Sequence, residues 1–109
     1  AQALHHLAWT LRDLNRRDEA LPYAQLAADA APDWSDAHNT VGSLLFELGR
    51  LDQAERSLRH AITLQPSHAQ AYNNLGNTLS EQRQLDQALE CYRNAVRLFG
   101  AGGNGRLEE

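Results

Sequence analysis

Residues 69–100, AQAYNNLGNTLSEQRQLDQALECYRNAVRLFG, align without a gap to the stretch 34 positions earlier, and that stretch aligns again to the one 34 positions before it. Tyr72, Leu75, Gly76, Leu79, Ala88, Tyr92, Ala95 and Gly100 fall on His38, Val41, Gly42, Leu45, Ala54, Leu58, Ala61 and Pro66. One further shift places them on Leu4, Leu7, Ala8, Leu11, Ala20, Ala24, Ala27 and Pro32. A unit of this size cannot bury its own apolar face. A fixed period therefore implies that units stack, and about three are needed to close a continuous core. The predicted organisation is one domain of three repeats, 1–34, 35–68 and 69–100, with 101–109 as a flexible glycine-rich tail.

Within each repeat the apolar residues recur at three- and four-residue steps, the signature of helices. Leu4, Leu7, Ala8 and Leu11 mark one helix ending near Leu14 and Asn15, and Ala20, Ala24, Ala27 and Ala28 mark a second that runs to Pro32. Asp18 is the expected cap of that second helix, with Pro22 in its first turn, where a missing N–H matters least. In the next repeat Asp33 to Asp36 read as a cap, Gly49 as a left-handed helix end, and Asp52 with Glu55 as a capping box. Ser67 and Gln70 form the corresponding pair in the third repeat. Arg83 stands where Asn15 and Gly49 stood, so a looser corner is expected there. The closing GAGGNGRLEE is too rich in glycine to hold a helix.

Charge excludes one class of partner. The net charge of −4 is spread as −2, −1 and 0 over the three repeats and −1 in the tail, and no basic stripe exists for phosphate backbones. Nucleic acid is not an expected partner. The longest uncharged runs are short and polar, so no membrane partner is expected and no signal peptide is read. With one cysteine, Cys91, no internal disulfide can form, and the cytoplasm is the compartment favoured. Ala1 reads either as the start of an excised piece or as the residue left after removal of an initiator Met.

Catalysis and metal binding find no constellation. His5 and His6 are adjacent, so they point about 100° apart on a helix. No HExxH or Cys/His spacing is present. His38 is read as partly buried packing, and His60 and His68 fall on the outer helix and a turn. Cys91 on a helix reads as inert. No enzyme activity, metal or other cofactor is expected.

Those recurring positions resemble the tetratricopeptide repeat family. The family pattern asks for a bulky residue, Leu-Gly, a large residue, Ala, an aromatic, Ala and Pro at set offsets. The third repeat supplies Tyr72, Leu75-Gly76, Leu79, Ala88, Tyr92 and Ala95; the second supplies Gly42, Ala54, Ala61 and Pro66. The first has Ala8 in place of Gly but keeps Ala20, Ala27 and Pro32. The resemblance implies an all-α fold, an α-solenoid winding as a right-handed superhelix of three helical hairpins. It also implies a non-catalytic scaffold that binds a peptide or protein segment in its concave groove. Gly42, Gly76, Ala8, Ala20, Ala54 and Ala88 are small so that helices approach closely.

On the family's layout the first helix of each repeat lines the groove. The partner-binding residues implied are His5, Trp9, Arg12, Asn39, Ser43, Phe46, Asn73, Asn74 and Asn77. Trp9 and Phe46 are the apolar anchors of this reading; packing against neighbouring helices is the competing one. Asn73, Asn74 and Asn77 offer carboxamides to an extended peptide backbone, against the alternative of plain solvated polarity. Asn74 matches the asparagine ladder of O-linked N-acetylglucosamine transferases, while Thr40 and His6 stand at the two equivalent places. A recruiting arm of such a larger enzyme is thus a further reading.

The family's clamp for a C-terminal carboxylate asks for Lys, Arg and Asn. Here His5, Trp9, Thr40, Gln70 and Asn74 occupy those positions. With Asp13, Asp36, Glu47 and Glu81 against Arg12, the groove leans acidic, so the expected partner is a neutral or basic peptide. Self-association is the remaining function reading: Val96, Leu98 and Phe99 are followed by glycines rather than by a solubilising helix, which points to a homo-oligomer.

Overall fold

The structure, a computed structural model, describes residues 1–102. Six helices follow one another: α1 (Gln2–Asp13), α2 (Arg17–Ala30), α3 (Ser35–Glu47), α4 (Leu51–Leu64), α5 (Ala69–Glu81) and α6 (Leu85–Gly102). Consecutive pairs form hairpins, and α2 packs on α3 and α4 on α5, which joins the hairpins into an all-α solenoid. The first helices α1, α3 and α5 make one layer and the second helices the other.

The core repeats as the sequence does. Ala8, Ala20, Ala24, Ala27, Ala54 and Ala61 are fully buried, and Leu58, Leu75 and Leu79 fill the space between the second and third hairpins. A methyl group built on Gly42 would lie 2.5 Å from Leu58 Cγ, and one on Gly76 would lie 2.7 Å from Tyr92 Cε1. Both glycines therefore let a large side chain of the partner helix cross directly over the backbone. Leu7 departs from the pattern. Its repeat equivalents Val41 and Leu75 are buried, but Leu7 is exposed because no hairpin packs on that side of α1.

The three inner corners are superimposable in their hydrogen bonding. Asn15, Gly49 and Arg83 all have positive φ, at 64°, 81° and 65°. Each corner has the paired bonds of a Schellman motif: Arg16 N–H to Leu11 C=O at 2.8 Å, Arg50 N–H to Leu45 C=O at 2.8 Å, and Gln84 N–H to Leu79 C=O at 2.8 Å. The expected looseness at Arg83 is not found. Its strain is held locally by these bonds, so Arg83→Gly should raise stability by about 0.5–1 kcal/mol, read as a higher thermal midpoint. An unchanged or lower midpoint would mean that Arg83 meets no penalty there.

This corner geometry also corrects the capping assignments. The residue closing each motif, Arg16 or Arg50, is at once the N-cap of the next helix, so α2 and α4 begin on backbone alone with no side-chain cap. Asp18 and Asp52 lie inside the first turn instead, where their charge faces the positive helix end. Asp52 accepts a bond from Gln82 and Glu55 pairs with Arg59, so no capping box forms. Pro22 consequently sits in the second turn of α2, which continues unbroken around it.

On the other side, the N-caps are Trp34 and His68. Trp34 makes no side-chain cap bond, whereas His68 Nδ1 accepts from the Ala71 N–H at 3.3 Å, replacing the expected Ser67 cap. Ser35 Oγ donates to Ala61 C=O at 2.8 Å and so ties α3 to α4. The last helix runs further than expected. Pro32 and Pro66 force extended residues at Ala31 and Gln65, which stops α2 and α4; with Gly100 in that place, nothing ends α6 before Gly102. The rest of the expected tail, 103–109, lies outside the described residues.

Candidate functional site

A recess of about 180 Å³ opens between the first helices, lined by Trp9 and Arg12 of α1, Asn39, Thr40 and Ser43 of α3, and Gln70 and Asn74 of α5. Its floor is built from polar pairs that all join residues 35 positions apart. Thr40 Oγ1 lies 2.8 Å from His5 Nε2, Asn74 Nδ2 donates to Asn39 Oδ1 at 3.0 Å, and Arg12 donates to Glu47 at 2.5 Å. Neighbouring first helices are therefore stapled by side chains one residue beyond their repeat equivalents.

Trp9 stands at the edge of this floor with 44% of its surface exposed. Its indole N–H is shared between His5 Nε2 and Thr40 Oγ1, each at 3.3 Å. An indole N–H can only donate, so Nε2 of His5 acts as the acceptor and carries no proton. Thr40 then donates to the same nitrogen. Burial pushes the His5 pKa down; Asp36 opposes the shift and His6 adds to it. The ring stays neutral at neutral pH, and the Trp9 orientation is locked by it. The Arg12 guanidinium lies 5.5 Å from the Trp9 ring centroid, a cation–π distance.

A family model described as Tetratricopeptide repeat matches residues 35–101, and a second of the same description matches residues 1–30. The chain is a tetratricopeptide repeat protein. No curated protein matches its sequence. Solved structures do. The first TPR of Spaghetti (RPAP3) bound to the HSP90 peptide SRMEEVD superimposes with TM-score 0.87 at 23% identity, covering 89% of this chain and 77% of that one. MamA gives TM-score 0.84 at 24% identity, over 89% of this chain and 57% of its own. YrrB, described as a TPR protein with an unusual peptide-binding site, gives 0.83 at 28%, over 87% of this chain and 49% of its own. The chain thus spans about half the length of YrrB. Shared fold and protein-interaction scaffold are what the tetratricopeptide repeat family brings.

In this repeat protein the expected groove residues divide. Trp9, Arg12, Asn39, Ser43 and Asn74 meet around one recess. His5 is buried beneath Trp9 and Trp34, so it supports the recess rather than lining it. Phe46 is half-buried against the core of the first two hairpins, as its competing packing reading has it, and does not line this recess. Asn77 accepts a hydrogen bond from the Tyr92 hydroxyl at 2.6 Å and braces α5 against α6. Asn73 is half-buried and lies outside the recess.

The charge balance of the repeat protein's groove also needs correction. Glu47 is bracketed by Arg12 and by Arg17, which reaches over from α2 with Nε 2.7 Å from the carboxylate. Burial pushes the Glu47 pKa up, but hydrogen bonds from Arg12 and then Arg17 outweigh it and hold the group below its ordinary value. Glu47 is therefore spent, and Asp13, Asp36 and Glu81 carry the exposed negative charge. Arg17 could not be found from the repeat pattern, because its equivalents Leu51 and Leu85 are apolar.

Elsewhere, His38 and His60 meet edge to face at 4.4 Å, and His38 Nε2–H donates to Pro32 C=O. Among the described residues no three of His, Cys, Asp or Glu are grouped so as to hold a metal ion, and no helix is long and apolar enough to cross a membrane. Cys91 is buried, and burial pushes its thiol pKa up, away from reactivity.

Proposed function

We propose that this tetratricopeptide repeat protein binds an extended segment of another polypeptide across α1, α3 and α5, without catalysing a reaction on it. The observation that carries this reading is Trp9: a large, half-exposed indole, fixed by His5 and Thr40, beside the Asn39–Asn74 carboxamide pair. A preorganised aromatic loses little freedom on binding. The carboxamides retain Asn39 Nδ2 and Asn74 Oδ1 for a peptide main chain.

The segment is neutral or basic. Spaghetti's first TPR holds an acidic peptide, SRMEEVD. At the places where a carboxylate clamp would need Lys and Arg, this chain has His5, Trp9, Thr40 and Gln70. Incubating the protein with an array of tiled peptides should give hits free of acidic C-termini. A Trp9→Ala, Asn74→Ala double variant should bind the same peptides at least about 30-fold more weakly, as loss of a central aromatic anchor does. Equal binding by both proteins would remove the groove from consideration.

Assembly of the chain with itself is a second reading, favoured by the outer face of α6. Val96 and Phe99 are 49% and 54% exposed, with Leu85 and Leu89 exposed beside them; Leu98, expected there, is half-buried. Light scattering from micromolar to millimolar protein should show mass rising with concentration, and Val96→Ser, Phe99→Ser should abolish the rise. A constant monomer mass would end this reading.

A further inference from the structure

Trp9 is a wall between two recesses. The second, of about 490 Å³, is formed by His5, His6, Trp9 and Thr10 of α1 together with Trp34 and Asp36 at the start of α3. Arg12 belongs to the central recess and not to this one. We propose that this second recess takes a lysine or arginine side chain of the bound polypeptide, held against the indoles of Trp9 and Trp34 with its charge at the Asp36 carboxylate. The assignment rests on the groove reading above, which it extends by one specificity subsite.

Three observations lead to a cation. The first is the set of rings. His5 sits 4.6 Å from Trp34, tilted at 58°, and 6.3 Å from Trp9, edge-on at 72°. Trp9 is held by its tied-down N–H and Trp34 is half-buried against the core, so both rings are placed before a ligand enters. Indole faces are the strongest aromatic partners for ammonium and guanidinium groups, and this protein already places its own Arg12 over Trp9.

Charge is the second observation. Asp36 keeps 58% of its side chain exposed at the mouth of the recess. His68 Nε2 lies 2.9 Å from its Oδ1, and the carboxylate stays largely exposed beside that contact. Among the described residues no Lys or Arg lines the recess, and Arg12 is engaged by Glu47. His5, on the floor, is neutral at neutral pH because burial holds its pKa down.

Shape is the third. The recess is open rather than enclosed, and it shares the Trp9 wall with the central groove. A peptide backbone over Asn39 and Asn74 can therefore pass one side chain around the indole into it. This arrangement suits a long, flexible stem that ends in a charge, which lies along apolar surface and delivers its head to a carboxylate.

The test uses small probes and the intact protein. The chain's two tryptophans give two indole N–H signals in ¹⁵N spectra, assigned through Trp9→Phe and Trp34→Phe. N-acetyl-lysine methylamide and N-acetyl-arginine methylamide should shift both signals saturably at millimolar concentration. N-acetyl-norleucine methylamide, which keeps lysine's four-carbon stem without the charged head, should bind at least about fivefold more weakly. Asp36→Asn should weaken the cationic probes at least about threefold while leaving distant amide signals in place. Equal response to norleucine, indifference to Asp36→Asn, or shifts confined to Trp9 would each overturn the assignment. Peptide-array hits combined with failed probes would sink this subsite alone. Bound probes without array hits would sink the groove reading instead.

Discussion

Gly42→Ala lowers the stability of this protein by about 2 kcal/mol, and the loss shrinks when Leu58→Ala is made in the same chain. The expectation follows from one contact: the added methyl would meet Leu58 Cγ at 2.5 Å and Cδ2 at 2.7 Å, with Ala54 C=O at 3.3 Å. Leu58 is fully buried and cannot swing aside. Leu58→Ala by itself opens a cavity and should be the larger loss, about 3 kcal/mol. In the double variant the new methyl enters the space that Leu58 vacated, so the combined loss should fall short of the sum by about 1 kcal/mol or more. Denaturant titration of the four proteins measures each term. Strictly additive losses would show that Gly42 is small for some reason other than the crossing of α3 over α4.

Glu47→Gln lowers the thermal midpoint by about 6–10 °C at pH 7, corresponding to about 1.5 kcal/mol for the loss of charged hydrogen bonds in a half-exposed setting. Among the described residues Glu47 is the one carboxylate gripped by two guanidiniums, Arg12 from α1 and Arg17 from α2, across the junction of the first two repeats. Its folded pKa lies below the ordinary glutamate value. The stabilisation is therefore fully present above about pH 4.5 and is lost as pH falls through the folded pKa, because protonation then removes the same bonds in the wild type. The two proteins should differ most near neutrality and converge as acid protonates Glu47 in the wild type. A difference that persists undiminished in acid would mean that packing of the side chain, not its charge, supports the junction.

Much of the fold was legible because steric demands repeat. Gly42 and Gly76 recur at one offset, as do the small residues Ala8, Ala20, Ala54 and Ala88, and each is small where a neighbouring helix crosses. The positive-φ corner at Gly49 was equally readable. Arg83 was not, since an unfavourable residue is tolerated once two backbone bonds pin the turn. The helix starts were misread for a related reason. A side-chain cap is a local signal, but α2 and α4 begin on backbone groups already fixed by the preceding corner, and Asp18 and Asp52 are left to serve the helix dipole.

The candidate site was harder to read. Its working pairs, His5 with Thr40, Asn39 with Asn74 and Arg12 with Glu47, are offset by 35 residues, so a 34-residue alignment pairs each residue with the wrong neighbour. Trp34, taken as part of a cap, covers His5 and helps to form the second recess. Asn77 and Phe46 looked available from spacing alone, but Tyr92 and the core engage them.

Alone, the chain's order of residues determined that helices form, that they pair into hairpins, and that three hairpins stack, because periodic small and apolar positions allow no other way to bury that surface. Which polar side chains remain available to a partner was decided only by the stacked structure. Hydrogen bonds and ion pairs between neighbouring helices depend on sub-ångström offsets and on reach from the second layer, and neither is encoded in any local stretch.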